Sequence, residues 1–270
     1  MSECKMPIRE QESNKGTFGK ILNVAGSDNY IGAAYLSTYS ALKVGAGYVA
    51  LATEQNVIKS VSQMLPEAVY MEVPYAYRRL GDFTVVLIGC GIGTGFSAKN
   101  NFKFLINYFR DKEIPFVIDA DGLNILSELH LQLPQNTIIT PHPMEAARLL
   151  VKDIDEVIAD IEGSAMELCE KYNCITVLKT HRTIICDKGN MFINEHGNSA
   201  LAKAGTGDVL AGIISGLLAQ KMEPLEAAKL AVYLHSRAGE LASENLTEYS
   251  VMASDIPKYL PNAIKEILHN

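Results

Sequence analysis

The segment Lys203-Ala204-Gly205-Thr206-Gly207-Asp208-Val209-Leu210-Ala211-Gly212, followed by the apolar stretch Ile213–Ala219, brings together the residue types that phosphoryl chemistry requires. Glycines ahead of a helix leave the unpaired N–H groups of its first turn open, and these groups, with the helix dipole, favour an anion. A phosphate fits there. Asp208 has two readings. As one of the best capping residues it can simply close the helix end. Beside a bound phosphate, the same carboxylate can take a proton from a hydroxyl while the N–H groups stabilise the migrating phosphoryl group. Glycines, an aspartate and a buried helix in one place favour catalysis. The P-loop pattern GxxxxGK[ST] occurs nowhere in the chain.

Three other segments could carry chemistry. Gly26-Ser27-Asp28-Asn29-Tyr30-Ile31-Gly32-Ala33-Ala34 is rich in small residues, which allow either a ligand or another backbone to come close. Ile88-Gly89-Cys90-Gly91-Ile92-Gly93-Thr94-Gly95 follows an apolar run, but its spacing is not GxGxxG and it lies mid-chain, so a glycine floor beside a ligand is the better reading than a dinucleotide fingerprint. In Thr140-Pro141-His142-Pro143-Met144-Glu145, Pro143 suits a first helical turn and Glu145 suits the helix dipole. Such packing leaves His142 unexplained. His142 and Glu145 as metal ligands lack a third partner nearby in sequence, and no metal held directly by protein groups is expected.

Residues so placed need a scaffold, and the hydrophobic pattern supplies one. Lys20–Ala25, Tyr48–Ala52, Thr84–Ile88, Pro115–Ile118, Thr137–Ile139 and Ile175–Leu178 read as strands, with amphipathic helical stretches between them. Strands nearly continuous in Val, Ile and Leu that alternate with helices predict a parallel sheet covered on both faces. Arg182–Asp187 and Met191–Asn194, flanking Lys188-Gly189-Asn190, read as an antiparallel hairpin at the sheet edge. In such a sheet ligands gather beyond the carboxyl ends of the strands, where all four segments fall. No repeat or linker divides the chain, so the expectation is an N-terminal arm over residues 1–16 and one domain over residues 17–270.

Composition narrows the function classes. The chain has 270 residues, 48% hydrophobic and 20% charged, enough for a large core. Its formal charge of −7 argues against a nucleic-acid partner, which would require many phosphates to be neutralised. Cys4, Cys90, Cys169, Cys174 and Cys186 are odd in number and scattered without a CxxC pair, so neither a disulfide framework nor a zinc site is expected. The N-terminus lacks the apolar core of a signal peptide, and every apolar run is too short to span a bilayer. A cytoplasmic protein without a membrane partner is the expectation.

Ala204-Gly205-Thr206-Gly207-Asp208 resembles the anion-hole and aspartate signature of ribokinase-like kinases. With it stand Lys15-Gly16-Thr17-Phe18-Gly19-Lys20, Gly26-Ser27-x-x-Tyr30-x-Gly32-Ala33, Asp119-Ala120-Asp121-Gly122-Leu123-Asn124, Thr140-Pro141-His142-Pro143-x-Glu145 and Asn194-x-x-Gly197-Asn198. As an ordered set over about residues 15–216 they resemble the stand-alone NAD(P)H-hydrate dehydratases. The resemblance implies a ribokinase-like α/β/α sandwich, a mostly parallel sheet with an antiparallel edge hairpin, and ADP-dependent (or ATP-dependent) repair of the S hydrates of NADH and NADPH. The 6-hydroxyl would be phosphorylated and phosphate eliminated, giving NAD(P)H, AMP and phosphate. It implies Asp208 as the base and Gly205, Thr206 and Gly207 as the anion hole. Ala33, Gly93 and His142, with Asp208, would contact the hydrate. Lys179, Thr180, His181, Arg182 and Thr183 would hold AMP with Gly207, and Asn198 would lie near its phosphates. Mg²⁺ accompanying the nucleotide and a homotetramer are implied in the same way. Two positions depart from the family pattern: Thr180 stands where Gly usually follows the lysine, and Met144 where Gly usually precedes the glutamate. A ribokinase-like kinase of a thiazole or pyridoxal-like alcohol, and a non-catalytic nucleotide sensor, are the alternative readings.

Overall fold

A computed structural model describes residues 5–129 and 131–269; Cys4 and the start of the N-terminal arm lie outside the described residues. The first half of the chain runs β1 (Lys20–Val24), α1 (Ile31–Lys43), β2 (Tyr48–Thr53), α2 (Gln55–Val61), β3 (Val69–Glu72), α3 (Val73–Tyr77), β4 (Val85–Ile88), α4 (Phe96–Phe109), β5 (Phe116–Ile118) and α5 (Asp121–Leu129). The second half runs β6 (Thr137–Ile139), α6 (Pro143–Leu150), α7 (Ile154–Ala159), α8 (Ile161–Tyr172), β7 (Ile175–Leu178), β8 (Ile184–Asp187), β9 (Asn190–Ile193), α9 (Thr206–Ala219), α10 (Pro224–Leu246) and α11 (Ile256–His269). The strands form one nine-stranded sheet in the order β3-β2-β1-β4-β5-β6-β7-β8-β9. It is parallel from β3 to β7 and antiparallel at β7-β8-β9, the sandwich and edge hairpin expected from the sequence.

Strand pleating sorts the core into two layers. Ile21, Val85, Leu87 and Val117 face the layer built with α1, α9, α10 and α11, whereas Leu22, Val86, Ile88, Phe116 and Ile118 face that of α4, α5, α6 and α8. The six apolar runs read as strands are all strands, two of them with the same bounds and four shifted by one residue at one end. The edge hairpin turns more tightly than its sequence suggested. Asp187 pairs with Asn190, leaving Lys188 and Gly189, both at positive φ, as the two-residue loop that a right-handed strand twist favours.

Two features bring α9 to the site. Along it Gly212 and Gly216 lie against α1 so closely that a Cβ would stand 2.3 Å from the Ser37 carbonyl oxygen at the first and 2.7 Å from that of Ala41 at the second. Glycine there permits the close approach. Strand order reverses at β1 and β4, and the crevice beyond their carboxyl ends is the place where such sheets bind ligands. The two loops that open it are bonded together: Gly26 N donates to the Cys90 carbonyl at 2.8 Å, and Ser27 Oγ to the Gly91 carbonyl at 2.8 Å.

Candidate active site

The first turn of α9 is built differently from a capped helix end. Its N-cap is Gly205, at φ 93, a left-handed backbone that an L side chain adopts only under strain, and Asp208 makes no capping bond. Capping therefore does not account for Asp208. Its carboxyl lies beside the Cys90 thiol after β4, and Cys90, Asp119 and Asp208 place a ligand atom each within 4.8 Å of one another. Burial, and next the negative charge of Asp119, push the Asp208 pKa up to about 7, although Cys90 and Lys179 oppose the rise. A carboxylate with this pKa is a base poised for neutral pH.

Beneath the glycines sits a buried charge cluster. Lys179 Nζ, at the end of β7, donates to Asp119 Oδ1 at 2.7 Å and stands 3.9 Å from Glu145 Oε2. The Asp119 carboxylate is 1% exposed. Burial disfavours the Lys179 charge, but Asp119 and Glu145 more than offset this and its pKa is raised. A Cβ on Gly207 would lie 3.1 Å from Lys179 Nζ and 3.5 Å from Asp119 Oδ2, so the ammonium is immediately under the anion hole. Burial raises the Glu145 carboxyl well above its usual range, with Lys179 pulling the other way.

His142 has a structural role that the sequence left unexplained. It is the N-cap of α6: its Nδ1 accepts from Met144 N at 3.1 Å and Glu145 N at 3.3 Å, and Glu145 returns a carboxylate oxygen to His142 N. Accepting at Nδ1 leaves the proton on Nε2, which faces Glu145 Oε1 at 3.4 Å. Burial, and then Lys179, lower its pKa, which keeps the ring neutral. Pro143 occupies the first helical position as expected.

Gly93, at φ 73, has open space where a Cβ would project, and its N–H donates to Asp121 Oδ2 at 2.8 Å. Ala33 borders the same glycine loop, since a Cβ on Gly91 would meet its methyl at 2.9 Å. Ala33, Gly93, His142, Lys179, Gly205, Thr206, Gly207 and Asp208 thus sit on loops and helix starts at one end of the sheet. The stretch after Lys179 turns away from the charge cluster. Thr180, His181 and Arg182 line a cavity of about 410 Å³ with Pro143 and the apolar side chains of Ile158, Ile161 and Ile184. Thr183 Oγ1 donates to the Thr180 carbonyl and Arg182 pairs with Glu195, so internal bonds shape this loop. Asn198 is engaged on both ends of its amide: Oδ1 accepts from Ala200 N at 3.1 Å and Nδ2 donates to Ser243 Oγ at 2.7 Å.

The sequence presents Asp119 and Asp121 only as parts of a motif and gives Cys90 no role. Charged residues directly after the apolar strand Phe116–Ile118 were the available signal for the two aspartates.

No helix among the described residues is long and apolar enough to cross a membrane. The family model of the NAD(P)H-hydrate dehydratases matches residues 21–262. The chain is 36% identical over 244 residues to the ADP-dependent (S)-NAD(P)H-hydrate dehydratase of Neisseria meningitidis, covering 88% of this chain and 81% of that protein. It is also 36% identical to a bifunctional NAD(P)H-hydrate repair enzyme of Coxiella burnetii, matching 94% of its own length but 52% of that protein, so it spans about half the length of the bifunctional relatives. The ADP/ATP-dependent NAD(P)H-hydrate dehydratase of Bacillus subtilis, co-crystallised with ATP and Mg²⁺, superposes with a TM-score of 0.87 at 31% identity, covering 97% of this chain and 95% of that one. A hydroxyethylthiazole kinase of Pyrococcus horikoshii, 14% identical with a TM-score of 0.66, shares the fold alone. On a ribokinase-like framework, then, this chain belongs to the NAD(P)H-hydrate dehydratase family.

Proposed function

We propose that the chain is an ADP-dependent (S)-NAD(P)H-hydrate dehydratase, a cytoplasmic hydro-lyase that returns hydrated NADH and NADPH to use. The observation that carries this reading is Asp208, a carboxyl with a pKa of about 7 set in the open first turn of α9 and directly above the Lys179–Asp119 pair. The names of the Neisseria and Bacillus relatives supply the reaction class.

In this reading Asp208 takes the proton of the substrate's 6-hydroxyl as its oxygen attacks the terminal phosphorus of ADP. The bond from that phosphorus to the bridging oxygen breaks, and AMP departs. The N–H groups of Gly205, Thr206 and Gly207 receive the charge that develops on the phosphoryl oxygens, and the ammonium of Lys179 beneath them adds a fixed positive charge. Phosphate is a far better leaving group than hydroxide. The ring nitrogen's lone pair expels it from C6, and loss of a proton from C5, with phosphate as a competent acceptor, restores the dihydropyridine. Ala33, Gly93 and His142 are proposed to hold the hydrate, whose ring meets a neutral imidazole rather than a charge. Lys179 to Thr183, with Gly207, are proposed to hold AMP. Asn198, its amide already engaged, would serve the phosphates by placing its own loop.

Mg²⁺ is proposed to arrive on the nucleotide phosphates and to neutralise part of their charge. The nearest protein donor set, Cys90, Asp119 and Asp208, includes a thiol and a carboxylate already paired with Lys179, a poor match to a hard cation that prefers oxygen. Residues 17–270 are proposed to act as one domain, and the tetramer implied by the resemblance is open to light scattering. The four described cysteines are buried and free, which suits a reducing compartment.

The test is a comparison of nucleotides. Purified protein with NADH hydrate, Mg²⁺ and ADP is expected to regenerate the near-ultraviolet absorbance of NADH. ATP in place of ADP reads the nucleotide preference, and silence with both nucleotides overturns the proposal.

A further inference from the structure

Lys203 opens the anion-hole motif, and the proposed reaction leaves it without a role. Its carbonyl accepts from Thr206 N at 3.3 Å and from Thr206 Oγ1 at 2.9 Å, which closes a turn over Lys203–Thr206. Gly205 stands at the third position of that turn with φ 93 and ψ −15, the backbone of a type II turn, which favours glycine there. The conformation of this turn decides where the peptide N–H groups at the mouth of α9 point.

The lysine side chain ties this turn to a second piece of chain. Residues 247–255 connect α10 to α11; they begin with a turn closed by Ser250 N on the Thr247 carbonyl at 3.1 Å and end at Asp255, whose carboxylate accepts from Met252 N at 2.9 Å. Lys203 Nζ donates to the Tyr249 carbonyl of this connector at 2.6 Å and also to its Val251 carbonyl. Ala253 adds a packing contact, because a Cβ on Gly205 would stand 3.1 Å from its methyl. Both hydrogen bonds come from a charged donor, the stronger kind, and an ammonium with three N–H groups can serve two carbonyls at once. Methionine could fill the same space but could donate to neither carbonyl.

We propose that Lys203 is a positioning residue of the dehydratase, an ammonium that clamps the Lys203–Thr206 turn to the connector so that the anion-hole N–H groups keep the direction a transferring phosphoryl group needs. Donors aimed at developing charge act through their geometry, so a small displacement of the turn is enough to weaken them. The assignment rests on the anion-hole reading above and extends it to a cation that is engaged by backbone carbonyls.

Two substitutions in the full chain separate clamp from filler. Lys203→Met keeps the volume and removes the donor, whereas Lys203→Ala leaves a gap that propylammonium, the missing fragment of the side chain, can enter. Both variants are expected to lose about 10-fold or more in kcat with KM for the hydrate kept within about 3-fold, the pattern of an interaction expressed in the transition state. Propylammonium chloride should raise kcat of the Ala variant by about 3-fold or more and leave the Met variant, whose gap is filled, unchanged. Tetramethylammonium chloride at the same ionic strength carries the charge without an N–H and should rescue neither. Inorganic phosphate, titrated by calorimetry without nucleotide or hydrate, should bind the Met variant about 10-fold more weakly than the wild type. Full turnover in the Met variant, rescue that does not distinguish the two salts, or phosphate binding that ignores the substitution would reduce Lys203 to an ordinary structural residue. If the Ala variant does not fold, kcat and phosphate binding of the Met variant decide. A wild type that binds phosphate in this pattern yet never restores NADH would defeat the proposed reaction and leave the positioning role standing.

Discussion

Lys179 Nζ and Asp119 Oδ1 meet at 2.7 Å although the residues are 60 positions apart, and the pair lies directly under Gly207 at the mouth of α9. The parallel order β5-β6-β7 produces the meeting, because it brings the carboxyl ends of the strands carrying both residues to the same side of the sheet. A positive charge is thereby held under an anion site by an acidic partner that is itself out of water.

Removing one member should be worse than removing both. Lys179→Met strands the Asp119 carboxylate in the interior, at an expected cost of about 3–5 kcal/mol. Adding Asp119→Asn to that variant should recover much of the stability in a urea titration while activity stays low. Additive losses in the double variant would show that the two residues do not stabilise one another.

Asp208→Asn keeps the shape of the side chain and removes the base. Turnover is expected to fall about 10²-fold or more with ADP binding largely retained. Unchanged turnover would strip Asp208 of its role.

The pH dependence has two opposite arms. With a pKa of about 7, Asp208 loses its basic form as pH falls, so kcat/KM should decline below about pH 7. Stability moves the other way. Asp208 and Glu145 both have folded pKa values raised above their unfolded ones, so the stability they add is complete below the unfolded values and is lost as pH rises through the folded ones. Thermal melting should therefore show the wild type losing stability between about pH 4 and 7, and Asp208→Asn losing less over the same window.

Gly212→Val tests the helix contact that aims α9. Its Cβ would fall 2.3 Å from the Ser37 carbonyl oxygen, on backbone that cannot rotate away. A loss of about 3 kcal/mol or more is expected from chemical denaturation. Wild-type stability would mean that α1 and α9 are less tightly apposed than described.

Most of the sheet is legible in the sequence because buried parallel strands are runs of Val, Ile and Leu. Val69–Glu72 is not, since this edge strand is four residues long, ends on a glutamate and has only one fully buried position, Met71. The glycines and Asp208 are legible as a site because they are adjacent. Whether Asp208 caps the helix is not, for that depends on where the helix begins, and the left-handed backbone at Gly205 moves the start upstream of it. His142 escapes for a chemical reason: histidine is outside the usual set of capping residues. Lys179 with Asp119 comes from strand order, which no local spacing encodes.

The central claim is that a phosphoryl group passes through the Gly205–Gly207 mouth on its way to becoming phosphate. The direct measurement follows NADH, AMP and inorganic phosphate together in one reaction started with hydrated NADH and ADP. All three should rise in equal amounts and at one rate. NADH that forms without AMP, or AMP and phosphate that form with no NADH, would contradict it.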